Sequence, residues 1–161
     1  MIREITKADF ETFWPCFEAV VRAQETYAFD PEMSFEDAYQ LWCVVPLKTF
    51  VFEKEGKILA SYYIKPNAMG PGDHVCNCGY MVSEAARGQG IAGQLCEHSQ
   101  QVAIDSGFKA MQFNAVVSTN QVAVRAWQKA GFSIVGTLPG AYRHGRLGYV
   151  DSFVMYKQLQ A

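Results

Sequence analysis

Several features are missing from this sequence, and each absence closes off a class of function. No run of eighteen or more apolar residues occurs, so no membrane-spanning helix is expected. The Met1 end carries no secretory pattern, which points to a cytoplasmic protein without a membrane partner. A basic surplus is absent too. Fourteen Lys and Arg stand against sixteen Asp and Glu, a formal charge of −2, which argues against a nucleic-acid partner. Cysteines number five, an odd count in a chain large enough not to need staples, so reduced thiols are expected. Cys76 and Cys78 form C-x-C, but no second Cys or His pair stands at zinc spacing, so buried thiols sharing one strand face are expected and no metal. Repeats and low-complexity tracts are also missing.

What remains is the composition of an ordered globular protein: half the residues are apolar and 14% aromatic. The 161 residues fit one domain, 1–161, burying roughly 70% of its unfolded surface. The chain starts with a short alternating strand, "MIREIT". A first helix follows, with Thr6 and Asp9 at capping-box spacing and Phe10, Phe13, Phe17, Val20 and Val21 in helical register. Pro15 is expected to kink or interrupt that helix. Ser34 and Asp37 mark a second helix start. "KTFVFEKEGKILASYYIKP" reads as a hairpin turning at Glu55 and Gly56, and "HVCNCGYMV" as a further strand. A long helix spans Gly90 to Ser106 and stops at Gly107. "KAMQFNAVV" is a strand, and "STNQVAVRAWQKAG" a helix capped by Ser118 or Asn120. "FSIVGTL" and "GYVDSFVMYKQL" are the last strands, joined by "PGAYRHGR". The order β-α-α-β-β-β-α-β-α-β-β implies a mixed α/β layer sandwich.

The stretch "ARGQGIAGQL" fits two phosphate-loop patterns: G-x-G-x-x-G from Gly88, and R-x-x-G-x-A from Arg87. The first, a dinucleotide fingerprint, needs its first Gly almost directly off a strand and an acidic residue ending the next one. Here five residues separate Val82 from Gly88, and the strand ending in "NAVVSTN" carries no acid. The second pattern suits the context: a strand, a polar link, then a helix whose first N–H groups and dipole favour a pyrophosphate. Gly88 and Gly90 let backbone approach phosphate without an intervening Cβ.

"YMVSEAARGQGIAGQL" and "NQVAVRAWQKAGFSIVG" together resemble the two motifs of the GNAT acetyltransferase superfamily, Q/R-x-x-G-x-G/A and N-x-x-A-x-x-x-[YW]-x-x-x-G-F. The resemblance implies a single-domain GNAT fold, a mixed, mostly antiparallel sheet with splayed central strands flanked by helices. It implies acetyl-CoA as co-substrate and direct acetyl transfer to an amine. Tyr80, Met81 and Val82 would pair with the pantetheine arm, Val82 N–H serving as oxyanion donor. Arg87, Gly88, Gln89, Gly90, Ile91, Ala92 and Gly93 would hold the pyrophosphate, with Asn120 at the next helix start. Two positions depart from the family. The usual acid, a Tyr, is Trp127, which packs against cofactor or core, and a Glu base found in some members is Ala115.

Asn77 and Asn114 resemble the asparagines of the subgroup that acetylates proline analogues such as azetidine-2-carboxylate, where they orient the acceptor; alternatively each only satisfies buried backbone. In "ETYAFD", Glu25 meets an acceptor ammonium or is merely solvated, and Tyr27 and Phe29 wall the site. Tyr142, Arg143 and His144 recognise an acceptor carboxylate or relay a proton, against an exposed-loop reading for His144. The expected function is N-acetylation of a small-molecule amine, an amino acid or proline analogue. Its alternatives are peptide or protein N-terminal acetylation, or a non-catalytic acetyl-CoA sensor. The protein is expected as a monomer or homodimer.

Overall fold

The computed structural model describes residues 1–161. Strand β1 (Ile2–Glu4) leads into helix α1 (Lys7–Ala23), and short helix α2 (Phe35–Tyr39) runs on into a wide turn over Gln40–Val44. Strands β2 (Lys48–Lys54), β3 (Lys57–Pro66) and β4 (Val75–Val82) precede helix α3 (Ile91–Asp105). Strand β5 (Ala110–Val117), helix α4 (Gln121–Lys129), and strands β6 (Ser133–His144) and β7 (Gly148–Gln158) complete the chain. The element order matches the sequence reading throughout. One seven-stranded sheet has the order β1-β2-β3-β4-β5-β7-β6, antiparallel except for β4 beside β5.

Strand alternation gives the sheet two apolar faces, and each carries its own core. Ala60, Tyr62, Ile64, Cys76 and Cys78 face α3 and α4, packing with Leu95, Cys96, Phe113, Trp127 and Phe132. Tyr63 and Met81 face α1 and α2, packing with Phe10, Phe13, Phe17, Val21 and Trp42. Cys76 and Cys78 therefore share one buried face, and burial pushes the Cys78 thiol well above its ordinary range.

Two expectations are corrected. Helix α1 runs unbroken through Pro15. Its fully buried Phe10, Phe13 and Phe17 lie on both sides of the proline, each contributing about 1.5–3 kcal/mol. Together they exceed the roughly 3 kcal/mol that an interior proline costs, and Pro15 itself is exposed, leaving the unpaired carbonyl near water. Strand β6 also does not stop at Leu138 but continues to His144, leaving only residues 145–147 as the hairpin tip. Pro139 is accommodated because β6 is an edge strand and its register slips between Leu138 and Tyr142. The Gly140 N–H donates to Asp151 Oδ1 (3.0 Å), holding the slipped segment.

At the start of α1, Thr6 and Asp9 form a reciprocal capping box, and Asp9 also receives both Arg3 guanidinium nitrogens (2.6 and 3.0 Å). The Arg3 hydrogen bonds hold the Asp9 carboxyl at about 2, below its ordinary 3.8. A carboxyl depressed on folding stabilises the native state above its unfolded value, and that contribution is lost as pH falls through the folded value. Asp9→Asn is therefore expected to lower Tm by about 2–4 °C at pH 6, a loss of about 1 kcal/mol. The gap from the parent protein should close between pH 4 and pH 2; thermal melts across that range measure it.

Candidate functional site

The site begins where two parallel strands part. β4 and β5 pair only at Val75–Ala110 and Cys76–Met111, then diverge. Ser83 N–H bonds Leu59 O (2.9 Å) and Asn67 N–H bonds Val75 O (2.8 Å), so odd-numbered residues of β4 turn their peptides to β3. Even-numbered residues turn theirs toward β5, which has moved away. Cys78, Tyr80 and Val82 consequently present N–H groups to a wedge instead of to a strand, the splay expected of these strands.

A cavity of about 1290 Å³ occupies this wedge and continues to both faces of the sheet. Tyr80, Met81 and Val82 line it on one side and Asn114, Asn120 and Trp127 on the other. At the C-terminal end of β4, Arg87, Gly88, Gly90, Ile91, Ala92 and Gly93 close it. Gln89, placed with them by sequence, is outside the wall.

This loop leaves room for a group to approach its backbone closely. Gly88 and Gly90 have φ of +79° and +75°, a conformation that a side chain disfavours, and nothing stands within 4 Å of where their Cβ atoms would be. Gly90 is the N-cap of α3 and no side chain caps that helix, so its first N–H groups are free to point at a ligand. By contrast, Asn120 Oδ1 caps α4 by accepting from Ala123 N–H (3.3 Å). Trp127 packs in the core, 4.8 Å from Tyr80 and 5.3 Å from Phe113 between ring centroids, and also lines the cavity.

At the bottom of the wedge, Asn77 replaces the next rung of the ladder. Its Nδ2 donates to Gln112 O on β5 (2.9 Å), and its Oδ1 accepts from Tyr63 O–H (3.2 Å). The line of amides continues: Gln112 Nε2 donates to Asn114 Oδ1 (2.9 Å) and Asn114 Nδ2 to Asn67 Oδ1 (2.7 Å). Asn77 is buried and Asn114 exposed, yet both face the cavity.

The opposite wall comes from the segment after α1 and from the β6–β7 tip. Glu25, Tyr27 and Phe29 line the cavity with Lys65, His144, Arg146 and Leu147. Tyr27 is held at both ends: its hydroxyl donates to Tyr80 O (2.5 Å), and its carbonyl accepts from Tyr142 O–H (3.0 Å). Burial raises the Tyr27 phenol well above its ordinary value. Gly145 N–H donates to Gln24 O (2.9 Å), tying the hairpin tip to the end of α1.

Tyr142, expected to touch an acceptor, instead sits off the wall with its hydroxyl committed to the Tyr27 carbonyl. Burial, then the nearby Glu25 charge, raises its phenol. His144 is buried at the end of a strand, not exposed on a loop. Its Nδ1 accepts from Arg146 and Leu147 N–H (3.1 and 3.2 Å), which places the ring proton on Nε2. A relay through the ring would need Nδ1, which these two bonds occupy, so Nε2–H is the ring group left free. Arg143 is exposed on the other face of β6.

Sequence reading missed Tyr63, Lys65, Asn67, Gln112 and Arg146. Gly79 was the available signal for one of them: a glycine inside a strand marks close approach by another group. A Cβ there would stand 2.4 Å from Tyr63 Cε2.

Comparison with known proteins agrees with this fold. The acetyltransferase (GNAT) family model matches residues 8–132. N-acetyltransferase aca1 of Schizosaccharomyces pombe is 32% identical over 147 residues, covering 81% of this chain and 70% of that protein. A GCN5-related N-acetyltransferase from Kribbella flavida superposes with a TM-score of 0.93 at 42% identity, over 98% of this chain and 96% of that one. The fold is shared with a GNAT superfamily phosphinothricin acetyltransferase from Sinorhizobium meliloti, solved in complex with acetyl-CoA. That match has a TM-score of 0.86 at 16% identity, over 99% and 88% of the two chains.

The Tyr142 hydroxyl is a structural tether on the segment holding Glu25 and Tyr27. Tyr142→Phe should cost about 1 kcal/mol of stability. Hydrogen exchange should quicken selectively over residues 24–29, with β2 and β3 unchanged; denaturant melts and exchange mass spectrometry read the two effects.

Proposed function

From the premise that the chain belongs to the GNAT acetyltransferase family, we propose that it moves the acetyl group of acetyl-CoA to the amine of a small amino acid or proline analogue. The observation that carries the acceptor class is the Gly145–Gln24 bridge. A polypeptide acetylated on an internal side chain needs a groove open at both ends between the α1–α2 segment and the β6–β7 hairpin. A chain terminus, like a small molecule, needs one open end, and the charges in the chamber favour the small molecule. The bridge joins those two walls and leaves a chamber suited to a small molecule. That chamber offers a carboxylate Glu25, two cations, Lys65 and Arg146, and the His144 Nε2–H, a set complementary to an amine and a carboxylate on one molecule. Asn77 and Asn114 at the cavity floor support the proline-analogue reading.

Bound acetyl-CoA supplies a thioester whose carbonyl carbon accepts an amine. Its pyrophosphate fits the Gly88–Gly93 loop, where open Cβ positions and free helix N–H groups coincide. The Val82 N–H, with that of Tyr80 one pleat deeper, stabilises negative charge developing on the carbonyl oxygen. Asn77 and Asn114 orient the acceptor. Trp127 and Ala115 leave the customary acid and base positions without a titrating group. As the C–N bond forms and the C–S bond breaks, the proton released by the amine neutralises the departing thiolate directly or through water.

Purified protein is incubated with acetyl-CoA and proline, azetidine-2-carboxylate, linear amino acids and short peptides, and free thiol is followed. Turnover of small amino acids with peptides inert is expected. Turnover of peptides alone overturns the acceptor class, and acetyl-CoA binding without turnover across the panel overturns the catalytic reading. Gly90→Val should raise the acetyl-CoA KM about tenfold or more, because a side chain enters the phosphate space and forces an unfavourable φ. Asn77→Ala should lower kcat far more than it weakens acetyl-CoA binding, measured by calorimetry beside a thermal melt that accounts for the lost brace to Gln112.

A further inference from the structure

Asn77 has four hydrogen-bonding valences, and the protein uses two of them. Gln112 O can only accept, so it must face Nδ2, which fixes which way the carboxamide points. The Tyr63 hydroxyl then donates to Oδ1. One amide hydrogen and one Oδ1 lone pair remain, on a buried side chain that lines the cavity.

Two neighbours confine the Tyr63 ring. In the β3–β4 register it lies opposite Gly79, and its ring fills the space that any Cβ there would occupy. Trp42 also packs edge-on against the ring, with centroids 4.9 Å apart at 86°. The Trp42 indole is itself pinned by donation to Ser61 Oγ (2.9 Å). A ring so confined offers its hydroxyl at one place.

We propose that Tyr63, seated over Gly79, is a positioning residue that holds the Asn77 carboxamide with its spare N–H and lone pair presented to the acceptor. The proposal rests on the acetyl-transfer reading of the site. Burial pushes the Tyr63 phenol up to about 12, so it remains an O–H donor throughout the pH range of an assay.

The test uses the full chain with Tyr63→Phe, which keeps the ring and removes only the hydroxyl, together with Asn77→Ala and the double variant. With an acceptor from the amine panel, Tyr63→Phe should lower kcat about tenfold, the worth of one hydrogen bond in orienting a reacting group, while the acetyl-CoA KM moves less than twofold. The double variant should be no slower than Asn77→Ala alone. An unchanged kcat in Tyr63→Phe, or effects that multiply in the double variant, overturns the proposal. A second arm needs no acceptor. The side-chain amide pair of Asn77, assigned in nitrogen–proton spectra by its loss in Asn77→Ala, should move in Tyr63→Phe although the ring is retained. An unmoved pair overturns the positioning role even if no amine is turned over, which separates its failure from failure of the proposed activity.

Discussion

The structure depends on a parallel ladder that stops after two rungs. Val75–Ala110 and Cys76–Met111 join the two halves of the sheet, and beyond them β4 and β5 part. Two open strand edges inside one sheet would ordinarily be a liability, since unpaired peptide groups in a buried place are costly. Here the side chains finish what the backbone leaves undone. Asn77 supplies the next hydrogen bond across the fork, to Gln112 O, and the Tyr27 hydroxyl satisfies Tyr80 O higher up. The N–H groups of Cys78, Tyr80 and Val82 stay available, and that asymmetry turns a gap in a sheet into a donor-lined slot.

Two independent cores keep the gap open. Phe113 stacks on Phe132 at 4.4 Å and leans on Trp127, anchoring β5 to α4. On the other face the aromatic rings of α1 pack on Trp42, which in turn meets Tyr63 and Tyr27. Strand β4 takes part in both cores: Cys76 and Cys78 pack toward α3 and α4, and Met81 packs toward α1. The 88–93 loop lies on the α3 side and Glu25, Tyr27 and the hairpin tip on the α1 side, with the slot between them. Tyr27 spans that boundary, since one end of it touches β4 and the other is fixed by Tyr142 from β6.

The parts legible in the sequence were those encoded locally. The glycines of the 88–93 loop, the Thr6–Asp9 capping box, the Asn120 cap and the element order all depend on neighbours within a few residues. Asn77, named from its resemblance to the asparagines of the proline-analogue subgroup, and the Tyr80–Val82 edge, named from the family motif, both line the cavity. Tyr63, Gln112 and Asn67 were not found, because their roles come from register between strands 14 to 47 positions apart. Tyr142 and His144 were placed on a loop because Pro139 and Gly140 read as a break, whereas an edge strand absorbs both with a slip of register. Pro15 misled for the same reason: a local cost was outweighed by tertiary burial that local reading does not see.

Gly145 at the hairpin tip sits so close to the end of α1 that a Cβ there would stand 3.2 Å from both Ala23 O and Gln24 Cβ. The two walls of the proposed acceptor chamber thus meet at the main chain of α1. Its width is gauged by peptide dimensions and cannot be tuned in small steps by exchanging side chains at the seam. Variants with a roomier or tighter chamber would have to change what projects inward, at Phe29 or Leu147, while the clasp that frames the chamber stays constant.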